Sequence, residues 1–266
     1  MKADGKVFVV TGGANGIGRE LVMALLRRNA RVAAVDIDES GLKKLTEDAA
    51  DQKDHLSVHV LDITSRDAVY AYPDLVISEH GAVDGVVNNA GIIQPFVRLA
   101  ELKDEDIRRV MDVNFYATLN MTRAFLPHLL SRSEAHVVNI SSMGGFLPVP
   151  GQSVYGASKA AVKLLTESLY AELADTSVRV TIVFPGAVGT DIAAHSGVKI
   201  SAGADQQTYK SLPADKAAEI ILEGIQKNRF RILVGQDARF MDLVYRTNPK
   251  RAVRYITRKM KNLLPA

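Results

Sequence analysis

Short apolar runs and longer amphipathic stretches alternate along most of this chain. Val-rich runs at 6–10, 31–36, 55–62, 83–88, 135–141, 178–184 and 231–234 are apolar on both faces. The stretches between them, at 16–28, 39–50, 66–80, from about 103, 115–130, 153–174 and 214–227, carry apolar residues at helical spacing. Strands that alternate with helices call for crossover connections and a parallel sheet. Strands apolar on both faces call for helices on both sides of it. The pattern predicts an α/β fold: a Rossmann-type doubly wound parallel sheet of about seven strands with helices on both faces. Pro73 falls inside the 66–80 stretch. An interior proline costs a helix about 3 kcal/mol, so a kink or restart is expected there. No repeat, low-complexity segment or linker interrupts the pattern. Residues 1–235 read as one domain and 236–266 as a C-terminal helical extension.

Composition adds limits. Of 266 residues, 47% are hydrophobic, enough for a sizeable core. There is no cysteine, which excludes disulfides and thiolate metal sites and fits a reducing compartment. No metal site is expected. The opening residues are few and polar and leave no room for a signal peptide. The apolar runs fall short of the roughly 20 residues that cross a bilayer. A cytoplasmic location is the expectation. The net charge of +3 is unevenly spread: from Arg229 to Ala266 ten Lys/Arg face two Asp/Glu. The basicity lies in a tail, so bulk charge gives no reason to expect nucleic acid as a partner.

Chemistry enters at the strand ends. Thr11-Gly12-Gly13-Ala14-Asn15-Gly16-Ile17-Gly18 joins the first strand to the first helix. Glycines let the backbone approach a pyrophosphate, and the helix start offers free N–H groups. Asp36 ends the second strand, 18 residues after Gly18. A carboxylate there accepts the adenine-ribose hydroxyls and repels a 2′-phosphate, while Ile37 follows and no arginine stands in the loop, so NAD is favoured over NADP. Asp36 also suits an ordinary turn with Asp38. Asp62, at the end of the third predicted strand, is placed to meet the adenine edge. Tyr155 and Lys159 stand four apart near the start of a long helix and so share a face. Alone, that spacing describes any surface pair. A free phenol has a pKa near 10, and a neighbouring ammonium would favour the phenolate. Ser141 and Ser142 end the fifth strand, Asn88-Asn89-Ala90-Gly91 the fourth, and Pro185-Gly186 the sixth, all at the edge where open parallel sheets bind ligands.

Together these residues resemble the short-chain dehydrogenase/reductase family over roughly 6–234. The family's Thr-Gly-x-x-x-Gly-x-Gly loop, Asn-Asn-Ala-Gly, Ser with Tyr-x-x-x-Lys, and Pro-Gly with a following Thr occur in order. The resemblance implies an NAD-dependent alcohol dehydrogenase or ketone reductase, acting on a small-molecule secondary alcohol or ketone of apolar character. It implies Tyr155 as general acid or base, and Ser142 as hydrogen-bond donor to the substrate oxygen. Lys159 would hold the nicotinamide ribose and lower the Tyr155 pKa. Asn114 would hold a water that links Lys159 to solvent. Ser141 reads as structural. The cofactor cleft would be lined by Gly12, Asn15, Gly16, Ile17, Gly18, Asp36, Asp62, Ile63, Asn88, Asn89, Ala90, Gly91, Tyr155, Lys159, Pro185, Gly186, Val188 and Thr190. A homo-oligomer, dimer or tetramer, is implied.

Substrate contacts are expected from Gln94, Phe96, Phe146 and Gln152 beside Ser142 and Tyr155, although loop packing accounts for the same apolar residues. The stretch 191–212 suits a mobile lid. Past Val234 two helical segments are expected, at 237–245 and 251–264, the second with Val253, Ile256, Met260, Leu263 and Leu264 on an apolar stripe. This ending is similar to that of the hydroxysteroid dehydrogenase-like branch. Packing on its own or a partner subunit, peripheral contact with an anionic membrane, and nucleic-acid binding are its three readings. A non-catalytic NAD-binding regulator or scaffold is the rival function. A serine hydrolase is a weaker one, since no Gly-x-Ser-x-Gly elbow is present.

Overall fold

The structure, a computed structural model, describes residues 1–198 and 211–260. In chain order the elements are β1 (Val7–Thr11), α1 (Gly16–Leu26), β2 (Arg31–Asp36), α2 (Glu39–Ala49), β3 (Leu56–Val60), α3 (Arg66–His80) and β4 (Gly85–Asn88). Next come α4 (Asp104–Met111), α5 (Ala117–Leu130), β5 (Ala135–Ile140), α6 (Ser153–Glu172) and β6 (Val178–Pro185). Then follow β7 (Val188–Gly189), α7 (Ile192–His195), β8 (Leu212–Pro213), α8 (Ala214–Gln226), β9 (Arg231–Val234), α9 (Gln236–Thr247) and α10 (Pro249–Lys259).

Among the described residues, seven strands form one parallel sheet in the order β3-β2-β1-β4-β5-β6-β9. Strand order reverses between β1 and β4, and ligands of such sheets bind at that point. Alternate residues of β1 feed opposite cores. Phe8 and Val10 pack with α1, α2 and α8, while Val7 and Val9 pack with α3, α5 and α6. This is why the strands read as apolar on both faces. β7 and β8 form a separate short parallel ladder that the hydrophobic pattern did not announce.

Three local expectations are corrected. Helix α3 runs through Pro73 without a restart. Val69, Tyr72 and Val76 are buried, and the Tyr72 ring meets Phe125 of α5 edge-on at 5.8 Å. That packing outweighs the local cost of the proline. The stretches near 103 and 115–130 are joined, because a π-helical turn at Asp112–Tyr116 links α4 to α5. The last helix starts at Pro249 rather than 251, since proline suits the first helical position and the Asn248 side chain caps it, accepting from the Arg251 N–H at 3.0 Å. Leu263, Leu264 and most of the expected lid lie outside the described residues.

Candidate active site

The phosphate loop is shaped by contacts only glycine permits. Gly12 and Gly16 take positive φ, +66° and +52°. A Cβ on Gly18 would collide with the Gly12 carbonyl oxygen, and one on Gly12 would stand 2.9 Å from the Asn89 amide nitrogen. Asn89 braces this turn, donating from its side chain to the Thr11 carbonyl (3.0 Å), while the Thr11 hydroxyl accepts from the N–H groups of Asn89 (2.9 Å) and Ala90 (3.0 Å). No side chain caps α1, and its first turn holds no acidic residue. Its N–H groups and dipole are therefore available to an anion. The cradle fits a dinucleotide pyrophosphate. The Thr190 methyl lies 3.1 Å from where a Gly16 Cβ would stand, which brings the stretch after β6 against the loop.

The Asp36 carboxylate accepts from the backbone N–H of Ala14 (3.0 Å) and of Asp38 (3.1 Å). It thus does the turn's work and still has unused lone pairs. Asp38, not singled out from sequence, caps α2 through Gly41 and receives the Asn15 amide at 2.8 Å. Hydrogen bonds from Ser40, Gly41 and Asn15 hold its carboxyl down at about 2. Asp62 lies two residues beyond β3, not at its end, and is exposed. It turns back on Thr64, accepting from its N–H (2.9 Å) and hydroxyl (2.7 Å), with Ile63 buried alongside.

The four proposed catalytic residues fall into two close pairs. A Cβ on Gly144 would lie 3.3 Å from the Tyr155 ring and 3.4 Å from Ser142 Oγ. One on Gly91 would lie 2.9 Å from Lys159 Nζ and 3.2 Å from Asn114 Oδ1. Ser142 Oγ accepts from the Gly144 N–H at 3.0 Å, which leaves its own hydrogen to point elsewhere. Lys159 is buried, and its ammonium donates to the Ile140 carbonyl at 3.0 Å. Burial pushes it down to about 8. Desolvation raises the Tyr155 phenol above its ordinary value, and a hydrogen bond with Ser142 offsets part of this. The expected lowering by Lys159 is not what dominates here, because loss of water acts on both groups at once. Ser141 is structural, its hydroxyl donating to the Lys159 carbonyl at 2.8 Å.

Asn114 sits in the π-helical turn and is fully buried. Its side chain exchanges hydrogen bonds with the Ile92 backbone (2.9 and 3.0 Å) and donates to Ser158 Oγ (3.0 Å). The wide turn is the device that aims it inward, as such turns often do at functional sites. Asn88 departs from expectation. It is buried, donating to Thr122 (3.0 Å) and Asn139 (2.8 Å), and it ties β4 to β5 and α5 instead of lining the cleft.

The expected substrate residues divide. Phe96 is half-buried and remains near the strand-end motif. Phe146 is packed between Phe184 (ring centroids 5.4 Å) and Tyr245 (6.2 Å), with the Arg231 guanidinium 5.7 Å from its centroid. It ties the loop after Ser142 to α9. Gln152 is buried and donates to the Gln94 carbonyl at 2.8 Å. Gln94 is fully buried, and its amide is taken up by backbone groups around the start of α6. It does not face the cleft as a free substrate contact.

The extension joins the same wall. Leu147, Met241, Ala252 and Ile256 form a buried cluster, flanked by Met143, Phe146 and Tyr245. Asp237 accepts from the Ala187 N–H at 2.6 Å and fills the space a Gly186 side chain would need. Pro185 is buried at the end of β6, and Val188 pairs with Leu212. The bond of Asp237 to Ala187, those of Asp38 beyond its expected turn with Asp36, and those of Gln94 were not read from sequence. Asp237, one residue into a helix after Gly235 and Gln236, carried a faint first-turn acid signal.

Comparison with known proteins agrees with this geometry. The family model described as short chain dehydrogenase matches residues 6–200. The chain is 39% identical over 254 residues to an oxidoreductase named SadH from Mycobacterium tuberculosis, covering 91% of each chain. It is similar to a short chain dehydrogenase/reductase from Burkholderia phymatum solved in complex with NAD (TM-score 0.82, 27% identity, 93% of this chain and 96% of that one). It is also similar to a short chain dehydrogenase from Burkholderia cenocepacia solved with NADP (TM-score 0.80, 26% identity, 96% and 99%).

Proposed function

The chain belongs to the short chain dehydrogenase family and is an oxidoreductase built for a nicotinamide cofactor, and from that premise we propose that it is an NAD-dependent dehydrogenase of apolar secondary alcohols, or a reductase of the matching ketones. The observation that carries this reading is the gathering of Ser142, Tyr155, Lys159 and Asn114 around Gly144 and Gly91, beside the phosphate loop.

In the oxidising direction the Tyr155 phenol first loses its own proton to solvent, a loss that the Lys159 ammonium and an oxidised nicotinamide ring would favour, and the phenolate then takes the proton of the substrate hydroxyl. Ser142, whose oxygen is already occupied by the Gly144 N–H, donates its hydrogen to the same substrate oxygen and stabilises the charge that develops there. Lys159, lowered to about 8 by burial and held on the Ile140 carbonyl, would lend its positive charge to the Tyr155 phenolate and hold the nicotinamide ribose. Asn114, clamped on Ile92 and Ser158, keeps the loop and α6 in register and would hold the water that links Lys159 to solvent. When bound, the dinucleotide accepts or supplies the hydride. Gly12, Asn15, Gly16, Ile17 and Gly18 would hold its pyrophosphate, and Asp62 with Ile63 its adenine. Asn89, Ala90, Gly91, Pro185, Gly186, Val188 and Thr190 would hold its nicotinamide half. A carboxylate at the end of β2 would accept the adenine-ribose hydroxyls and repel a 2′-phosphate, Asp38 adds a second negative charge beside it, and Ile37 supplies no counter-charge, which supports NAD over NADP. Met143 and Phe146, apolar and on the loop that follows Ser142, support an apolar substrate.

The test is NADH absorbance over a panel of alcohols and ketones, with Tyr155→Phe beside the wild type. Turnover should fall by about a thousandfold or more in the variant, the order of an essential acid–base group, while NADH still binds. A Tyr155→Phe enzyme at near wild-type rate sinks the assignment. A wild type that binds NADH and turns over nothing on the panel favours the scaffold reading.

A further inference from the structure

Helix α6 carries both Tyr155 and Lys159, and its own capping residue, Gln152, makes no side-chain cap bond. The first-turn N–H groups of a helix need acceptors. Here the acceptor comes from about 60 residues earlier in the chain. Gln94 Oε1 accepts from the N–H of Val154 (2.8 Å) and of Tyr155 itself (2.9 Å). Gln94 Nε2 donates to the Gly151 carbonyl (3.0 Å), and the Gln94 carbonyl accepts from Gln152 Nε2 (2.8 Å). Gln94 is 0% exposed. The same short segment is pinned at Ile92 by Asn114 (2.9 Å) and at Ile93 by Ser196 Oγ (3.0 Å).

We propose that Gln94 is a positioning residue for the Tyr155 phenol, locking the first turn of the catalytic helix to the loop that follows the Asn88–Gly91 motif. The inference rests on the oxidoreductase reading above. A backbone amide of the general acid–base residue is tied directly to the loop beside the nicotinamide half of the cleft. A small shift of this turn moves the phenol out of line with Ser142, and misplacement of that kind is costly in rate. An amide suits this position because it supplies an acceptor to two N–H groups and a donor to Gly151. A methionine of similar length offers neither. A protonated glutamic acid reproduces all three bonds. Once ionised it loses the donor and places a negative charge near the phenol, which disfavours the phenolate.

The test compares Gln94→Met and Gln94→Glu with wild type, reading kcat on the best substrate of the panel, NADH affinity by fluorescence, and amide hydrogen exchange. For Gln94→Met the expected result is a kcat lower by about tenfold or more, NADH affinity within about twofold, and faster exchange confined to residues 151–158. Gln94→Glu should recover most of the wild-type rate at pH 6 and lose it relative to wild type at pH 9. A Gln94→Met enzyme with wild-type kcat and unchanged exchange overturns the proposal. So does a joint fall of kcat and NADH affinity in both variants with exchange raised across the fold, which marks a merely structural residue. Tyr155→Phe run alongside separates the two levels. If it stays active the acid–base reading has failed, and if it is inactive while Gln94→Met is unaffected only the positioning role has failed.

Discussion

Gly18 shows how much one missing side chain decides at the residue scale. Its absent Cβ leaves room for the Gly12 carbonyl, and the space so kept is what lets the loop curl this tightly. Gly18→Ala is expected to cost about 2 kcal/mol of stability through overpacking, and to weaken NADH binding by about tenfold or more. Thermal melting and NADH titration check both, and an unchanged affinity would detach the loop from cofactor binding. Asp36 is harder to divide, because its carboxylate ties the loop to β2 and is also the group proposed to accept the ribose hydroxyls. Asp36→Ala should narrow the preference for NAD over NADP by about tenfold, the worth of one charged contact. Equal selectivity in variant and wild type would show that the turn was its whole task.

Elements are governed by what packs on them. Helix α3 keeps Pro73 because Tyr72 and Val76 are buried against α5. The π-helical turn at Asp112–Tyr116 carries no local sequence signal, yet it delivers Asn114 to Ile92 and Ser158. Helix α9 docks through Asp242. Its carboxylate accepts two bonds from Arg231 at 2.8 and 2.7 Å, while that guanidinium lies 4.6 Å from the Phe184 ring centroid. Arg231 holds the Asp242 carboxyl below its usual value. Removing one partner of such a charged, mostly buried pair leaves the other unsatisfied. Asp242→Ala should therefore cost about 2 kcal/mol in urea unfolding. It should also loosen Phe146, because the Arg231 guanidinium 5.7 Å from its ring centroid loses its anchor. Unaltered stability would mean that α9 is held by its apolar contacts alone.

At the scale of the whole molecule, acid should find a specific weakness. His136 is fully buried between β5 and β6, its ring nitrogen 2.8 Å from Thr181 Oγ1, and burial pushes it down to about 3. His59 and His80 are lowered by burial too. A histidine that stays neutral when folded gains its proton only on unfolding, so the unfolded chain binds more protons below the ordinary histidine value of 6.5. Stability should be level above that pH and fall as pH drops from 6.5 toward 3. From pH 6.5 to pH 5, His136 alone accounts for roughly 2 kcal/mol. Between pH 7 and pH 5 the histidines act almost alone, because Asp38 and Asp242 lose their bonds as pH falls from the ordinary carboxylate value of 3.8 toward their lowered ones, where the two effects overlap. Urea unfolding at pH 7 and pH 5 is the measurement, and a flat profile contradicts the assignment.

The legible part was periodic or repeated in kind. Seven strands alternating with helices and the glycine loop were readable because each rests on residues close in sequence, whereas Ser142, Tyr155 and Lys159 were singled out only by the joint resemblance of several motifs to a known family. Period, turn chemistry and helix spacing are local properties. Element ends were read to within a few residues, since a cap such as Asn248 with Pro249 shifts them. What tertiary structure alone decided was which polar groups meet. Asn88 turned inward, Asp38 bound Asn15, Asp237 bound Ala187, and Gln94 capped a helix some 60 residues away. A buried polar group must find a partner wherever the packing places one, and no pattern within a single element records where that is.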